Sequence, residues 1–391
     1  MQGQARQGGK PSRVARARKE RGVHAGAHGS ASRAGQWWRI VCRVILAVAA
    51  LWGGAAFAGD GGGQESSRDS RPGVAVIGAD TAPQLRFFGA DQGISRQIND
   101  IVLGRHGDLW LATLDGLARY DGRSFRFWRR EAGASESLPD NSVSALHVDA
   151  AGTLWAATWT GLVTMDTRRQ RMRRIRAAGA DAGCLEQIAV MDSLDGTLWM
   201  ATTRGLLCAR RPDGAFHVVR FQQMHGVETD ILTPTTLLAE SADRLLLGGE
   251  YGLIRLHLGP AGTEAKVERL IDSATTDLGR DPDGKIWVGH ADGLVRIGAD
   301  GGFEPSPWQL PDKGVMSAVL PRQDGSYWIV ASRALHRRES QRDVSLSPAL
   351  LRFDGGFVAG GGGLGGGLWL LTADDGLAYL PPAHGRFNLL S

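Results

Sequence analysis

Cysteine is scarce in this chain, with three residues in 391, at positions 42, 184 and 208. So few exclude a scaffold built mainly on disulfides. Long apolar runs are missing too. The longest, residues 44–57, falls short of the roughly 20 residues that a membrane-spanning helix needs. His147, His257, His290 and His336 are far apart and show no metal-ligand spacing. The glycine-rich stretch 355–367 has no helical segment after it, which excludes a phosphate-binding loop. The Asp149-to-Gly152 and Asp281-to-Gly284 pairs read as turns, whose acids bond their own backbone, rather than as paired catalytic carboxylates. These absences predict no metal, no cofactor and no catalytic residue, so the chain reads as a non-enzyme.

What the chain does contain is repetition. Residues 107–117 (GDLWLATLDGL) return almost unchanged at 195–206 (DGTLWMATTRGL) and 284–294 (GKIWVGHADGL). The shared slot is filled by Trp110, Trp155, Trp199, Leu246, Trp287, Trp328 and Trp369, at spacings of 45, 44, 47, 41, 41 and 41 residues. A period in the forties is the length of a four-stranded blade. Each copy reads as four strands: in the Trp155 copy 143–148 is an apolar strand, Asp149 and Gly152 a turn, and the Leu-Trp run a second strand. In the Trp110 copy residues 116–120 form the third and 125–128 the fourth, with Asp121-Gly122 between them. One such sheet cannot bury both its faces alone. Radial stacking does so, with the Trp, which removes on the order of 200 Å² from water, filling the space between sheets. The expected fold is all-β, a seven-bladed β-propeller of four-stranded blades over residues 84–391. An open β-solenoid is the lesser alternative.

The front of the chain is different. Residues 1–39 hold nine Lys/Arg and one acid, a composition that cannot bury a core. The apolar run follows, then Ala56-Phe57-Ala58, so residues 1–58 read as a basic leader and signal peptide cut before Gly59. Retention as a membrane anchor is the other outcome. Residues 59–83 form a polar linker. Without the leader the chain carries 35 basic and 40 acidic residues, a net charge of −5 in place of +4. The basic character therefore belongs to the leader, and no nucleic-acid partner is expected.

Cys184 and Cys208 fall before the first strand and on the third strand of the Trp199 copy, positions that are not neighbours in a sheet. They are expected to be two buried small hydrophobes rather than a disulfide. Arg168, Arg169, Arg171, Arg173, Arg174 and Arg176 read first as a solvated charged rim and second as a contact for an anion or a membrane surface. Trp128, Trp159 and Trp308 lie outside the repeat slot and suggest further filling between blades, with sugar stacking the lesser reading. Residues at the channel mouth are the ligand candidates, because a propeller gathers one inner-strand end from every blade there. These are Asn99, Asn141, Gln187, Thr235 and Ser317. Capping of the inner strands is an equal reading for them.

The copies from Asn99-Asp-Ile101 through Trp110-Leu-Ala-Thr113 to Arg119-Tyr-Asp121, and from Asn141-Ser-Val143 through Trp155-Ala-Ala-Thr158 to Gly161-Leu162, resemble the two-component-regulator propeller repeat of bacterial sensor proteins. The copies at 187–208 and 281–297 match fairly; those around 246, 328 and 369 are degenerate. The resemblance implies an extracytoplasmic, periplasmic module that senses an extracellular small molecule or saccharide. It also implies a histidine kinase or diguanylate cyclase output domain, in the same longer chain or a partner, and leaves a homodimer open. No kinase His box or cyclase motif occurs here, and residues 386–390 look like the strand that opens another repeat, compared with 85–89. Residues 85–88 either close the ring, or the chain is the front of a longer sensor, the favoured expectation. An exported lyase or glycan hydrolase, or an interaction scaffold, is the alternative.

Overall fold

The computed structural model describes residues 85–95, 97–168, 170–177, 179–221, 234–280, 284–298, 301–304, 316–321, 327–331, 334–338, 351–352, 357–362, 367–372 and 376–381. The leader and linker assigned to 1–83, and Arg169, Trp308 and the strand expected at 386–390, lie outside them. Apart from two short 3-10 helices, Ala90–Gln92 and Gly179–Leu185, every element is a β-strand. None of the described helices is long and apolar enough to cross a membrane.

The strands form five four-stranded sheets and one of eight strands. Each copy of the repeat runs as read from the sequence. In the Trp110 sheet the strands are Ile98–Leu103, Leu109–Thr113, Gly116–Tyr120 and Phe125–Trp128, each antiparallel to the next. The second strand of each sheet is buried on both faces, and Trp110, Trp155, Trp199, Leu246, Trp287, Trp328 and Trp369 all lie there, buried. Side chains two apart point the same way, so each strand serves two neighbours. Leu109, Leu111 and Ala118 pack with Trp369, Leu371 and Leu377. Trp110, Ala112 and Leu117 pack on the other side with Val143, Leu154 and Ala156.

Hydrogen bonds explain the repeat's other letters. Asp149 Oδ1 accepts from the Ala151 and Thr153 amides, and its Oδ2 accepts from Trp155 Nε1 at 2.9 Å. Thr113 and Thr158 donate their hydroxyls to the carbonyls of Gly116 and Gly161 at 2.8 and 2.9 Å. Thr-x-x-Gly is thus a turn closed by its own hydroxyl. Gly116 needs to be glycine twice over, for its φ of 120° and because an added Cβ would sit 2.3 Å from the Trp128 carbonyl.

The first strands of successive sheets adjoin one another in cyclic order, and Phe357–Gly362 of the last touches Ile98–Leu103 of the first. The fold is a β-propeller. Arg86–Phe88 pairs antiparallel with Gly376–Leu380, so the amino-terminal strand completes the last sheet. The glycine-rich stretch supplies that sheet's inner strand, paired with Leu368–Thr372.

Cys184 and Cys208 are disulfide-bonded, with Cα atoms 5.8 Å apart, against the expectation of two unlinked thiols. Cys184 precedes the inner strand and Cys208 lies on the third, as expected. The 3-10 segment Gly179–Leu185, however, packs over the sheet with Leu185 and Cys184 in the same cluster as Cys208 and Phe216. Adjacency arises through the face of the sheet, which strand order does not reveal.

Candidate functional site

The candidate mouth lies where the inner strands begin and the second strand of each sheet turns into the third. Every inner strand carries a register shift at its second residue: Asn99, Ser144, Ala189, Thr235, Thr276, Ser317 and Val358. A β-bulge re-aims one side chain, and here it aims at the next sheet. Asn99 Nδ2 donates to the Val143 carbonyl at 2.7 Å, Ser144 Oγ to the Ile188 carbonyl at 2.6 Å, and Thr235 Oγ1 to the Thr275 carbonyl at 2.8 Å. In each case the acceptor is the first residue of the neighbouring inner strand. Further along, Asp100 Oδ2 accepts from the Leu146 amide at 2.9 Å and Asp192 Oδ2 from the Ala239 amide at 2.8 Å. The inner ring is therefore sewn sheet to sheet by side chains on main chain, bonds typically worth about 1 kcal/mol each.

Of the five sequence candidates, Asn99 and Thr235 hold these stitches. Ser317 occupies the same bulge in Met316–Pro321, and its side chain lies outside the described set. Asn141 and Gln187 fall instead in the segments that approach the inner strands. Asn141 Oδ1 accepts from the Arg130 amide at 2.6 Å. Gln187 adopts a φ of 53°, donates its amide to the Trp159 carbonyl and accepts from Thr203 through both main chain and side chain. The structure brings Trp159, Gln187 and Thr203 together as a connected group at this end. Sequence alignment on asparagine missed Ser144 and Thr276. Counting back eleven residues from Trp155 and Trp287, as from Trp110 to Asn99, finds both.

Three titratable groups are perturbed by burial, His290 and Tyr251 at the mouth end and His147 toward the other end of its inner strand. The His147 ring is held below its ordinary range by desolvation, which the carboxylates of Asp192, Asp149 and Asp100 oppose. Its Nε2 lies 2.7 Å from Ser193 Oγ on the next sheet. His290 is likewise pushed down by burial; its Nδ1 accepts from the Asp292 amide and lies 3.0 Å from Ser273 Oγ. Burial pushes the Tyr251 phenol far up, and among the described residues its hydroxyl has no hydrogen-bond partner. Tyr251 sits in the turn between Arg244–Gly249 and Gly252–Leu258, at the mouth end. Among the described residues, His, Cys, Asp and Glu do not gather in a group that could hold a metal ion.

The Arg on the third strand of the repeat also finds its role. Arg119 lies across the ladder from Trp110, stacks over its ring and is bound by Asp108 at 2.9 Å. Arg296 stacks likewise over Trp287 and contacts Glu304. Where Leu246 replaces Trp, Arg255 is buried and held by Glu240 at 2.9 Å and by the Gly301 carbonyl.

Residues 137–160 match the model of the two component regulator propeller. The chain carries this family's repeat. No curated protein matches the chain by sequence. Among solved structures it resembles the extracellular domain of a putative hybrid two component system from B. thetaiotaomicron, at 18% identity and a TM-score of 0.58 over 76% of this chain and 42% of that one. A putative one component system from the same organism matches at 14% and 0.58, over 77% and 40%. The chain thus spans well under half of those two domains. A streptogramin B lyase matches at 14% identity and 0.59, over 76% of this chain and 97% of its own. At these identities the likeness is one of fold.

Proposed function

We propose that this two-component-regulator propeller is the extracytoplasmic sensor module of a bacterial signalling system, built of seven blades. The eight-stranded sheet then counts as two blades, each with its own ladder slot at Trp199 and Leu246, whose outer strands pair at Arg220–Glu264 and Phe221–Ala265. The observation that carries the reading is the family repeat on a ring whose inner strands are sewn sheet to sheet by side chains on main chain, a preformed rim of the kind that binds small molecules. An extracellular small molecule or saccharide contacts the rim at Trp159, Gln187, Thr203 and Tyr251, with Asn141 beside them. Asn99 and Thr235 shape the rim without touching the ligand. The module has no chemistry of its own, and its output is a histidine kinase or diguanylate cyclase domain.

Thermal denaturation of the full chain against saccharides, amino acids and short peptides tests this. A true ligand at a hundredfold excess over Kd raises Tm by about 5 °C, and Trp159→Ala abolishes the rise. A complete absence of shifts would sink the ligand reading. Export is tested separately by trapping thiols in growing cells: Cys184 and Cys208 recovered as free thiols would place the chain in a reducing compartment.

A further inference from the structure

The mouth occupies one end of the propeller, and the opposite end is unlike it in charge. Arg105 and His106 lie in the turn after the inner strand of the Trp110 sheet, and Arg126 lies on that sheet's outer strand. Arg168 is in the last turn of the Trp155 sheet, and Arg171 and Arg173 are on its outer strand Arg171–Arg174. All six are exposed. Contacts tie them into one patch. Arg168 Nε lies 3.5 Å from His106 Nε2, and Arg126 bonds the Gln170 side chain. Arg105 covers Gly152, whose added Cβ would sit 2.7 Å from the arginine Cδ.

Two exposed carboxylates share this end: Asp121, whose Oδ1 accepts from the Arg123 and Ser124 amides, and Asp166, which faces Arg171 across the ladder; Asp149 is occupied by two amides and the Trp155 indole. Arg174 turns the other way, binding the carbonyls of Ser137 and Leu138, and is part of the wall. A basic patch thus stands on a chain whose net charge beyond residue 58 is −5.

The same end is where the chain enters. Arg86 pairs with Tyr379 and Phe88 with Leu377, so the first strand runs toward the turn at Gly376, which is at the mouth end. Leu85 therefore lies at the basic end, beside exposed Arg86 and Phe87, the latter 40% exposed. The apolar run ends at Phe57, 28 residues before Leu85 in the sequence. Guanidinium groups attract anionic headgroups within a Debye length, about 8 Å at physiological salt.

We propose that this end of the propeller docks on an anionic phospholipid surface through Arg105, Arg126, Arg168, Arg171 and Arg173, turning the mouth away from the membrane. The proposal does not need the mouth to bind anything, so it stands or falls apart from the sensor reading.

The test uses the full-length chain made cell-free in the presence of vesicles, either pure phosphatidylcholine or phosphatidylcholine with about 30 mol% phosphatidylglycerol. Arginines are modified with phenylglyoxal and read by peptide mass spectrometry. Because the leader is present in both samples, the difference reports the patch. Arg168, Arg171 and Arg173 should react about fivefold more slowly on the anionic vesicles. The protection should vanish in about 1 M salt, where the Debye length is about 3 Å. Arg204, at the mouth end and paired with Glu186, should react equally on both. In the exposed-site variant Arg168→Ser/Arg171→Ser/Arg173→Ser, Arg126 should lose its protection. Equal reactivity on both vesicles would overturn the proposal. So would inorganic phosphate protecting the patch as well on neutral vesicles, which would mark an anion site instead, or Arg126 staying protected in the triple variant.

Discussion

Two seams between neighbouring sheets solve one problem in opposite ways. Where the last sheet meets the first, the filling is aromatic. Phe88 lies against Tyr120, Phe125 and Trp369 at 5.3, 5.7 and 5.6 Å, and Trp369 stacks near Tyr379 at 4.3 Å. Between the Trp199 and Leu246 sheets the filling is aliphatic, with Leu237, Leu245, Leu247, Ile254 and Leu256 around a single Trp. That second seam is also bonded along its outer edge, where Arg220 and Phe221 pair in parallel with Glu264 and Ala265. The chain itself bridges the aliphatic seam. Within the last sheet, Arg86–Phe88 and Gly376–Leu380 are joined only by a three-residue ladder, which holds the two ends of the ring together. Large rings contribute the most buried area per residue and add a specific geometry. Placing them beside the junction that is held by hydrogen bonds instead of by continuous chain compensates for that junction.

Replacing Trp369 with alanine should break the comparison most sharply, costing about 3–5 kcal/mol in denaturant unfolding. Leu247→Ala, in the aliphatic seam, should cost less, about 2–4 kcal/mol, because leucine is smaller and that seam is also bonded along its outer edge. If the two losses were equal, the closing seam would have no special standing. Next in size is the cystine. Changing both Cys184 and Cys208 to serine releases a cross-link over a separation of 24 residues and should lower stability by about 3 kcal/mol. The loss should be the same in a Trp369→Ala background, since the sites are in different seams.

Acid should act on the inner ring rather than on either seam. Burial lowers the folded-state pKa of His147 and His290, so below about 6.5 the unfolded chain binds protons that the folded chain resists. Stability is full above that pH and falls as pH drops toward the lowered values, by at most about 1.4 kcal/mol per pH unit for each ring. His147→Gln should flatten that slope between pH 6.5 and 5 in a series of melts; an unchanged slope would exclude the ring as its source. Smallest is the single stitch: Asn99→Ala should cost about 1 kcal/mol, and Ala189→Ser, at the one polar-free bulge of the first four, should return a similar amount.

The fold was largely legible from letters that repeat. Val143–Val148, Gly116–Tyr120 and Phe125–Trp128 were readable as strands because their turns are written in Asp, Thr and Gly at fixed offsets. The mouth was less so. Asparagine marks the bulge at Asn99 but precedes the strand at Asn141, so residue type misled where distance from the Trp slot would not have. Tyr251, the Trp159–Gln187–Thr203 group and the inter-sheet stitches carry no period, since each depends on what the neighbouring sheet presents.

The amino-acid order alone determined that this is an all-β ring of repeated sheets with buried Trp slots, because periodic turns and apolar runs act within one copy. Only the tertiary structure decided which strand completes the last sheet, that Cys184 reaches Cys208, and that the arginines of two sheets share one face. Those outcomes rest on contacts between copies, whose geometry is set when the ring closes.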